Sequence, residues 1–237
     1  MDNYNNYNFS QTQAPAQGTV AKAFMANVFS WMFLALTVTA VTSYLFGTVS
    51  SLQELLFQYG RPTPLFYIAV FSPIIFPFII SLGFERIGFS LMVGLFMLYS
   101  FVMGMSMSFI FMVFAHAFIF KTFAITAGAF GGMALLGYTT KTDLTRLGSI
   151  LYMALFGVII ASIVMMFTGG DTFLIDMLCV VIFTGLTAFK VQMLKNLGDQ
   201  AGLDSVNGRK LAVWGALSLY ITFINLFLTL LRLFARR

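Results

Sequence analysis

Seven uninterrupted apolar stretches, each long enough to cross a membrane, constrain this chain more than any other feature. A bilayer core about 30 Å thick needs roughly 20 apolar residues per helical span. Because no stretch alternates polar and apolar residues over about ten positions, as barrel strands do, we expect an all-α bundle of seven transmembrane helices. The predicted helices are Phe24 to Phe46, Leu65 to Leu82, Ile87 to Val113, Phe118 to Tyr138, Leu147 to Phe167, Thr172 to Leu194 and Leu211 to Phe234.

The composition also places the chain in a lipid bilayer. Of the 237 residues, 59% are hydrophobic and 9% are charged, far from the balance of soluble domains. The first 18 residues differ, since they are rich in Asn, Tyr, Gln and Ser and show no apolar periodicity. We therefore expect a disordered tail over 1–18 and a single membrane domain over 19–237. The net charge of +5 lies in loops and at helix ends, so no nucleic-acid partner is expected.

The positive charges predict the orientation, because cytoplasmic loops carry an excess of Lys and Arg. The side shared by the N-terminus and every second connection holds Lys22, Arg86, Lys141, Arg146, Lys190, Lys195, Arg209 and Lys210. The opposite side holds Arg61 and Lys121. We expect a cytoplasmic N-terminus, and the Asn-rich tail without a secretory signal favours a bacterial inner membrane. Arg232, Arg236 and Arg237 argue against an outer C-terminus, so its side stays open.

Ionisable side chains within or near membrane spans are functional candidates by default. Asp176 is about one turn inside the sixth helix. Two roles are open for it, a carboxylate stabilised by the helix dipole or a cation-binding carboxylate in a cavity. Asp171, at the start of that helix, fits a cap. Lys190, near the other end, can extend its amine to the interface. Glu85 and Arg86 can latch to a neighbouring helix or form a plain interfacial pair.

Small residues recur at every fourth position of the fourth predicted helix, at Ala124, Gly128 and Gly132. Such spacing lets two helix backbones approach closely. We interpret these residues as helix-packing positions within one chain, with a dimer face as the alternative.

No pattern for catalysis or cofactor binding is present, neither a nucleophile elbow nor a phosphate-binding or dinucleotide-binding loop. The single histidine, His116, has no partner at metal-ligand spacing. The single cysteine, Cys179, lies in an apolar run, which excludes an intrachain disulfide and favours a packing or lipid-facing role. We expect no enzyme activity, no cofactor and no metal site.

Three segments of the chain resemble a known family. Residues 123–162 read FAITAGAFGGMALLGYTTKTDLTRLGSILYMALFGVIIAS, in which the GYTTK and DLT elements are specific. The last predicted helix reads ALSLYITFINLFLTLLRLF, and the third contains GMSMS. Together these segments resemble the Bax inhibitor-1/YccA family, also called the transmembrane BAX inhibitor motif family. Membership implies seven helices with the last one central, and a pH-sensitive calcium leak, survival signalling or restraint of a membrane-bound protease.

Two positions depart from the family pattern. The resemblance implies a pore closed by two aspartates that share a proton, in motifs of the form TAYDTQ and LYLDFINL. Here the corresponding segments read TAFKVQ and LYITFINL, so that Lys190 and Thr222 replace the two carboxylates. Lysine opposite threonine cannot share a proton as two close carboxylates do. An ammonium at the constriction would also repel a divalent cation. We therefore predict the family fold without its di-aspartyl calcium gate.

Two functions follow from these observations. The first is a leak path for calcium or another cation, with its gate altered or lost. The second is a non-conducting protein that modulates a membrane-bound protease or another partner through its helices and its N-terminal tail. A small-molecule transporter ranks third, because no inverted repeat with a charged substrate site is evident.

Overall fold

The computed structural model describes residues 17–58, 61–201 and 206–236. Almost all of this chain is helical, apart from short connections and one small hairpin. The elements are α1 Gln17–Thr48, α2 Ser50–Leu56, β1 Phe57–Gln58, β2 Arg61–Pro62, α3 Pro64–Leu82, α4 Phe89–Met107, α5 Phe109–Val113, α6 His116–Thr139, α7 Thr145–Thr168, α8 Phe173–Ala201 and α9 Val206–Ala235.

The predicted seven spans are confirmed. Within the described residues, six helical segments are long and apolar enough to cross a membrane, and α3 is the seventh once its two bent halves are joined. The bend in α3 is 52°, between Pro64–Pro73 and Ile75–Leu82. Proline lacks a backbone N–H and clashes with the preceding turn, so Pro73 and Pro77 explain this bend. At Ser108 the third predicted span divides into α4 and α5.

A short connection between the first two spans was not predicted. Helix α2 leads into β1, which pairs antiparallel with β2. Thr63 closes the connection, because its hydroxyl donates a hydrogen bond of 2.7 Å to the carbonyl oxygen of Leu55. Leu56 is fully buried in a small cluster with Phe46 and Ala69. Seven helical residues are too few for periodicity to separate them from a loop.

Helix α9 is the centre of the bundle. It packs against α1, α3, α4, α6 and α8. Its Tyr220 is fully buried, and the Tyr220 hydroxyl lies 2.7 Å from the hydroxyl of Thr39 on α1. The same Thr39 oxygen lies 2.9 Å from the carbonyl oxygen of Ser100 on α4. A hydrogen-bonded centre surrounded by apolar helices agrees with the expected all-α bundle and its central last helix.

The outward faces of the helices are apolar. Helix α7 packs mainly on α8, and its Phe156 and Phe167 are 68% and 80% exposed. A soluble monomer rarely exposes an apolar surface of this extent, whereas lipid tails solvate it well. The chain is therefore a multi-pass membrane protein.

Successive spans run antiparallel, so the connections alternate between two ends of the bundle. One end holds the start of α1 and the end of α8, where Gly198 lies against Phe24. The other end holds the end of α9, where Arg236 pairs with Asp171. We call these the Lys22 end and the Arg236 end. Residues 1–16 of the predicted tail lie outside the described residues, and α1 already includes Gln17 and Gly18.

Candidate functional site

Lys190 of α8 and Thr222 of α9 meet inside the bundle. The Lys190 ammonium donates a hydrogen bond of 2.8 Å to the Thr222 hydroxyl and one of 3.1 Å to the carbonyl oxygen of Ser218. The Thr222 hydroxyl in turn donates to that same carbonyl over 3.0 Å. Lys190 is 8% exposed and Thr222 is 2% exposed. The two residues at the positions where the resemblance implies paired carboxylates are thus in direct contact.

The expectation that Lys190 extends to the interface is wrong. Its ammonium turns toward α9, because a helix carbonyl and a hydroxyl lie within reach there and satisfy two of its three donors. A serine or threonine hydroxyl that bonds back along its own helix, as that of Thr222 does, still has lone pairs to accept from a second donor.

Two cavities lie along the same side of α9, one toward each end. The first, of about 260 Å³, is lined by Lys190 and Ser218 together with Pro77 and Trp214. The second, of about 610 Å³, lies toward the Arg236 end. The polar residues lining the second cavity are Ser162, Asn225, Thr229 and Arg232. Thr222 lines neither cavity and lies between them along α9, so the Lys190–Thr222 contact lies where the two approach.

Asp176 is buried at the Arg236 end, where Arg232 of α9 and Arg236, just after α9, neutralise it. Its Oδ1 lies 3.4 Å from Arg232 Nη2, and its Oδ2 lies 3.5 Å from Arg236 Nη2. Oδ2 accepts no hydrogen bond from any described residue. Asp176 belongs to the first turn of α8 and does not line the cavity of about 610 Å³. Of its two predicted roles, this geometry favours the carboxylate at a helix end over the cation ligand.

Asp171 caps the same helix, as predicted. Its Oδ1 accepts a hydrogen bond of 3.0 Å from the backbone N–H of Phe173. The Arg236 guanidinium lies against the same oxygen and also donates to the hydroxyl of Thr172. The hydrogen bond from Phe173, followed by the one from Arg236, lowers the pKa of Asp171 below its ordinary value. The end of α9 is thereby fixed to the start of α8.

The latch proposed for Glu85 and Arg86 is not formed among the described residues. Both side chains are exposed in the turn between α3 and α4, and the ion pairs among the described residues do not include them. The turn places them at the mouth of a third cavity, of about 760 Å³, at the Lys22 end. Since water solvates both charges there, nothing draws them toward a neighbouring helix.

The predicted packing of the small residues Ala124, Gly128 and Gly132 within one chain is wrong. All three are exposed, and a Cβ added at Gly128 or Gly132 would meet no atom within 4 Å. Their face of α6 points away from α8 and α9, which leaves the dimer alternative untested. The close approach of α6 occurs one turn later, where a Cβ at Gly137 would overlap the backbone of Ala188 on α8.

Gln192 is a residue of the site region that the sequence analysis missed. Its Oε1 accepts a hydrogen bond of 2.8 Å from the backbone N–H of Leu144, and its Nε2 donates to the carbonyl oxygen of Thr142 over 2.8 Å. Lys195, one turn further along α8, donates to the carbonyl oxygen of Tyr138 over 2.9 Å. These bonds hold the GYTTK and DLT elements against α8. The available signal was the position of Gln192 in the TAFKVQ segment, two residues after Lys190.

Of the remaining candidates for chemistry, Cys179 lines the cavity of about 610 Å³, and His116 lines neither cavity along α9. Among the described residues, no three His, Cys, Asp or Glu side chains come close enough to hold a metal ion. The ring of His116 contacts the rings of Tyr44 and Phe111. Cys179 is buried in a cluster of α7 and α8 with Val158 and Ile182.

Comparison with known proteins decides the family. The family model described as Inhibitor of apoptosis-promoting Bax1 matches residues 21–237, which covers every span of the bundle. The chain belongs to the Bax inhibitor-1 family. A relative within the range of clear homology is Inner membrane protein YbhL of Escherichia coli (strain K12), 39% identical over 220 residues, which are 91% of this chain and 92% of that protein.

Further relatives of this chain come from other bacteria. An uncharacterised protein of Borreliella burgdorferi is 39% identical over 228 residues, 95% of this chain and 97% of that protein. An uncharacterised membrane protein of Streptococcus pyogenes serotype M6 is 32% identical over 216 residues, 90% of this chain and 92% of that protein. In each case the match extends over nearly the full length of both chains.

Proposed function

We propose that this Bax inhibitor-1 family member forms an ion-leak path of the bacterial inner membrane in which Lys190 replaces the calcium gate. The observation that carries the proposal is the hydrogen bond from Lys190 to Thr222, at the two positions where the resemblance implies paired carboxylates. The similarity to the inner membrane protein YbhL supports an inner-membrane location, and the charge bias of the connections supports a cytoplasmic Lys22 end.

The proposal follows from the electrostatics of a buried ammonium. A divalent cation that approaches Lys190 loses water and meets like charge, and no carboxylate among the described residues pairs with Lys190 to offset that repulsion. The two cavities along α9 supply space on either side of the contact. The path is thus closed to calcium at Lys190, with one cavity on either side of that contact.

Calcium flux into liposomes that contain the purified protein tests this function. Between about pH 6 and pH 8 we expect no calcium leak from the wild type, and a pH-dependent leak from the double variant Lys190→Asp with Thr222→Asp. The matched control is Lys190→Asn with Thr222→Asn, which removes the ammonium without adding carboxylates and should stay closed to calcium. A pH-dependent calcium leak in the wild type would contradict the assignment of Lys190.

A second candidate function is modulation of a membrane-bound protease without ion conduction. The closed Lys190–Thr222 contact and the absence of a carboxylate pair there favour it. This function would be selected if neither the wild type nor the double aspartate variant passes calcium into liposomes. The wild type should then also pass none of the other ions tested. Deleting residues 1–18 without loss of the effect on a protease would then exclude the N-terminal tail as the contact.

A further inference from the structure

Lys190 is a buried positive charge that forms no ion pair with any described residue. The ion pairs among the described residues join Arg232 and Arg236 to Asp171 and Asp176, and none reaches Lys190. Its two hydrogen-bond acceptors are a carbonyl and a hydroxyl, both neutral. An ammonium has three donors, so one is left over. Transferring such a charge out of water costs several kcal/mol unless an opposite charge joins it.

The space next to Lys190 has the lining that an anion needs. The cavity of about 260 Å³ is lined by Lys190 together with Ser81 and Ser218. Neither serine hydroxyl hydrogen-bonds to a described residue, so both can donate to a ligand. None of the described residues that line this cavity carries a carboxylate. Since one water occupies about 30 Å³ of liquid volume, the cavity holds one small ion together with several waters.

This cavity adjoins an entrance at the Lys22 end. The neighbouring cavity of about 760 Å³ shares Ser81 and Trp214 with it. Glu85 and Arg86 lie at the mouth of that larger cavity. An anion can therefore move from the Arg86 turn, along the Trp214 side of α9, to Lys190 without crossing the packed centre of the bundle.

We propose that the cavity beside Lys190 binds a small monovalent inorganic anion such as chloride. One ammonium and two hydroxyl donors match one negative charge with a few hydrogen bonds. The rest of the lining is apolar, so a strongly hydrated divalent anion such as sulfate loses more hydration than the site returns. We expect affinity to rise from chloride to bromide. Binding of the anion requires no conduction and is therefore independent of the proposed leak function. Transport of the anion through the path rests on that proposed function.

The fluorescence of Trp214 provides the measurement, because Trp214 lines the cavity of about 260 Å³ and the neighbouring cavity of about 760 Å³. The chain has two tryptophans. The variant Trp31→Phe leaves Trp214 as the only indole, and bromide quenches indole fluorescence on close contact. At constant ionic strength with gluconate as the balancing anion, we expect bromide to quench Trp214 saturably. Chloride should relieve that quenching by competition, and sulfate should not.

Variants of two lysines on α8 assign the site. Lys190→Met in the Trp31→Phe background should weaken the saturable quenching by about tenfold or more, which corresponds to the loss of one charged contact. The control, Lys195→Met, removes a lysine one turn away that bonds to Tyr138 outside the cavity, and should leave the quenching unchanged. Quenching that is linear in bromide, or equally saturable without Lys190, would overturn the proposal.

The remaining outcomes separate this proposal from the proposed function. If Lys190→Met does not fold, competition between chloride and bromide in the Lys190 protein decides: relief by chloride supports the site, and no relief contradicts it. Saturable, Lys190-dependent binding in a protein whose liposomes pass no ion would support the anion site and contradict the leak path. Ion flux without saturable quenching would support the path and contradict the anion site.

Discussion

Lys190 Nζ lies 2.8 Å from the hydroxyl oxygen of Thr222, and this hydrogen bond joins α8 to the central helix α9. The bond is buried and one of its partners is charged, so removing either partner alone has a different consequence from removing both. This asymmetry makes the contact measurable by a double-mutant cycle.

Replacing Thr222 by Val should lower the free energy of unfolding by about 1–3 kcal/mol, because the buried ammonium loses a hydrogen-bond acceptor. Lys190→Met combined with Thr222→Val should recover most of this loss, since two apolar side chains leave no group unsatisfied. Denaturant or thermal unfolding of the four proteins in detergent gives the coupling energy. Thr229→Val is the matched control, because the Thr229 hydroxyl bonds to Asn225 of its own helix. Equal losses at both threonines would show that Lys190 does not depend on Thr222.

Replacing Gly137 by Ala should destabilise the bundle by about 1–3 kcal/mol, because the added Cβ would lie about 2.7 Å from the Cα of Ala188 and force α6 away from α8. Gly128→Ala on the same helix meets no atom within 4 Å and should be neutral or stabilising by up to about 1 kcal/mol. Thermal unfolding midpoints in one detergent compare the two. The reverse order would mean that α6 packs through its Gly128 face.

Gln192→Leu should loosen the connection between α6 and α7, because the side chain holds backbone groups of Leu144 and Thr142 in that connection. Lys141 and Arg146 are trypsin sites in or next to the connection. Loss of these hydrogen bonds should lower the free energy of local opening by about 1–3 kcal/mol. Trypsin should then cleave the connection roughly tenfold faster or more. Asn196→Leu on the same helix is the control, since Asn196 is exposed. Unchanged cleavage in Gln192→Leu would show that the connection is held by other contacts.

Asp171→Asn should lower stability at neutral pH and have little effect in acid. The pKa of Asp171 is lowered in the folded protein, so the ionised carboxylate contributes stability that is complete above its ordinary value of 3.8. That contribution is lost as the pH falls through the lowered pKa, where the wild type becomes neutral like the variant. Unfolding midpoints at pH 7 and in a series down to about pH 3 measure the difference between wild type and variant.

The exposed Asp199 serves as the control for this pH series, since Asp199→Asn removes one charge of the same helix away from Arg236. Its effect on the unfolding midpoint at pH 7 should be small, because an exposed side chain is replaced by one of nearly the same shape. A difference between wild type and Asp171→Asn that persists in acid would mean that the cap, and not the charge, accounts for the loss.

Span positions and fold class were predictable, because crossing a bilayer imposes length and apolarity on consecutive residues, and both can be counted along the chain. The bend at Pro73 and Pro77 was predictable for a similar reason, since it follows from covalent structure. The short helix α2 was not, because its seven residues owe their order to Leu56 packing among residues of other helices.

Side-chain direction was decided by the tertiary structure. The sequence placed Lys190 near a helix end, where its long side chain can reach either the membrane interface or a neighbouring helix. The side chain turns to the neighbouring helix α9, because the carbonyl of Ser218 and the hydroxyl of Thr222 accept its hydrogen bonds there. Gly128 was predicted to pack against a neighbouring helix, whereas the close contact with α8 lies at Gly137, a position that the sequence analysis did not single out. Local sequence thus determined which segments cross the membrane, whereas the partners of each polar group depend on residues far along the chain that only the folded bundle brings together.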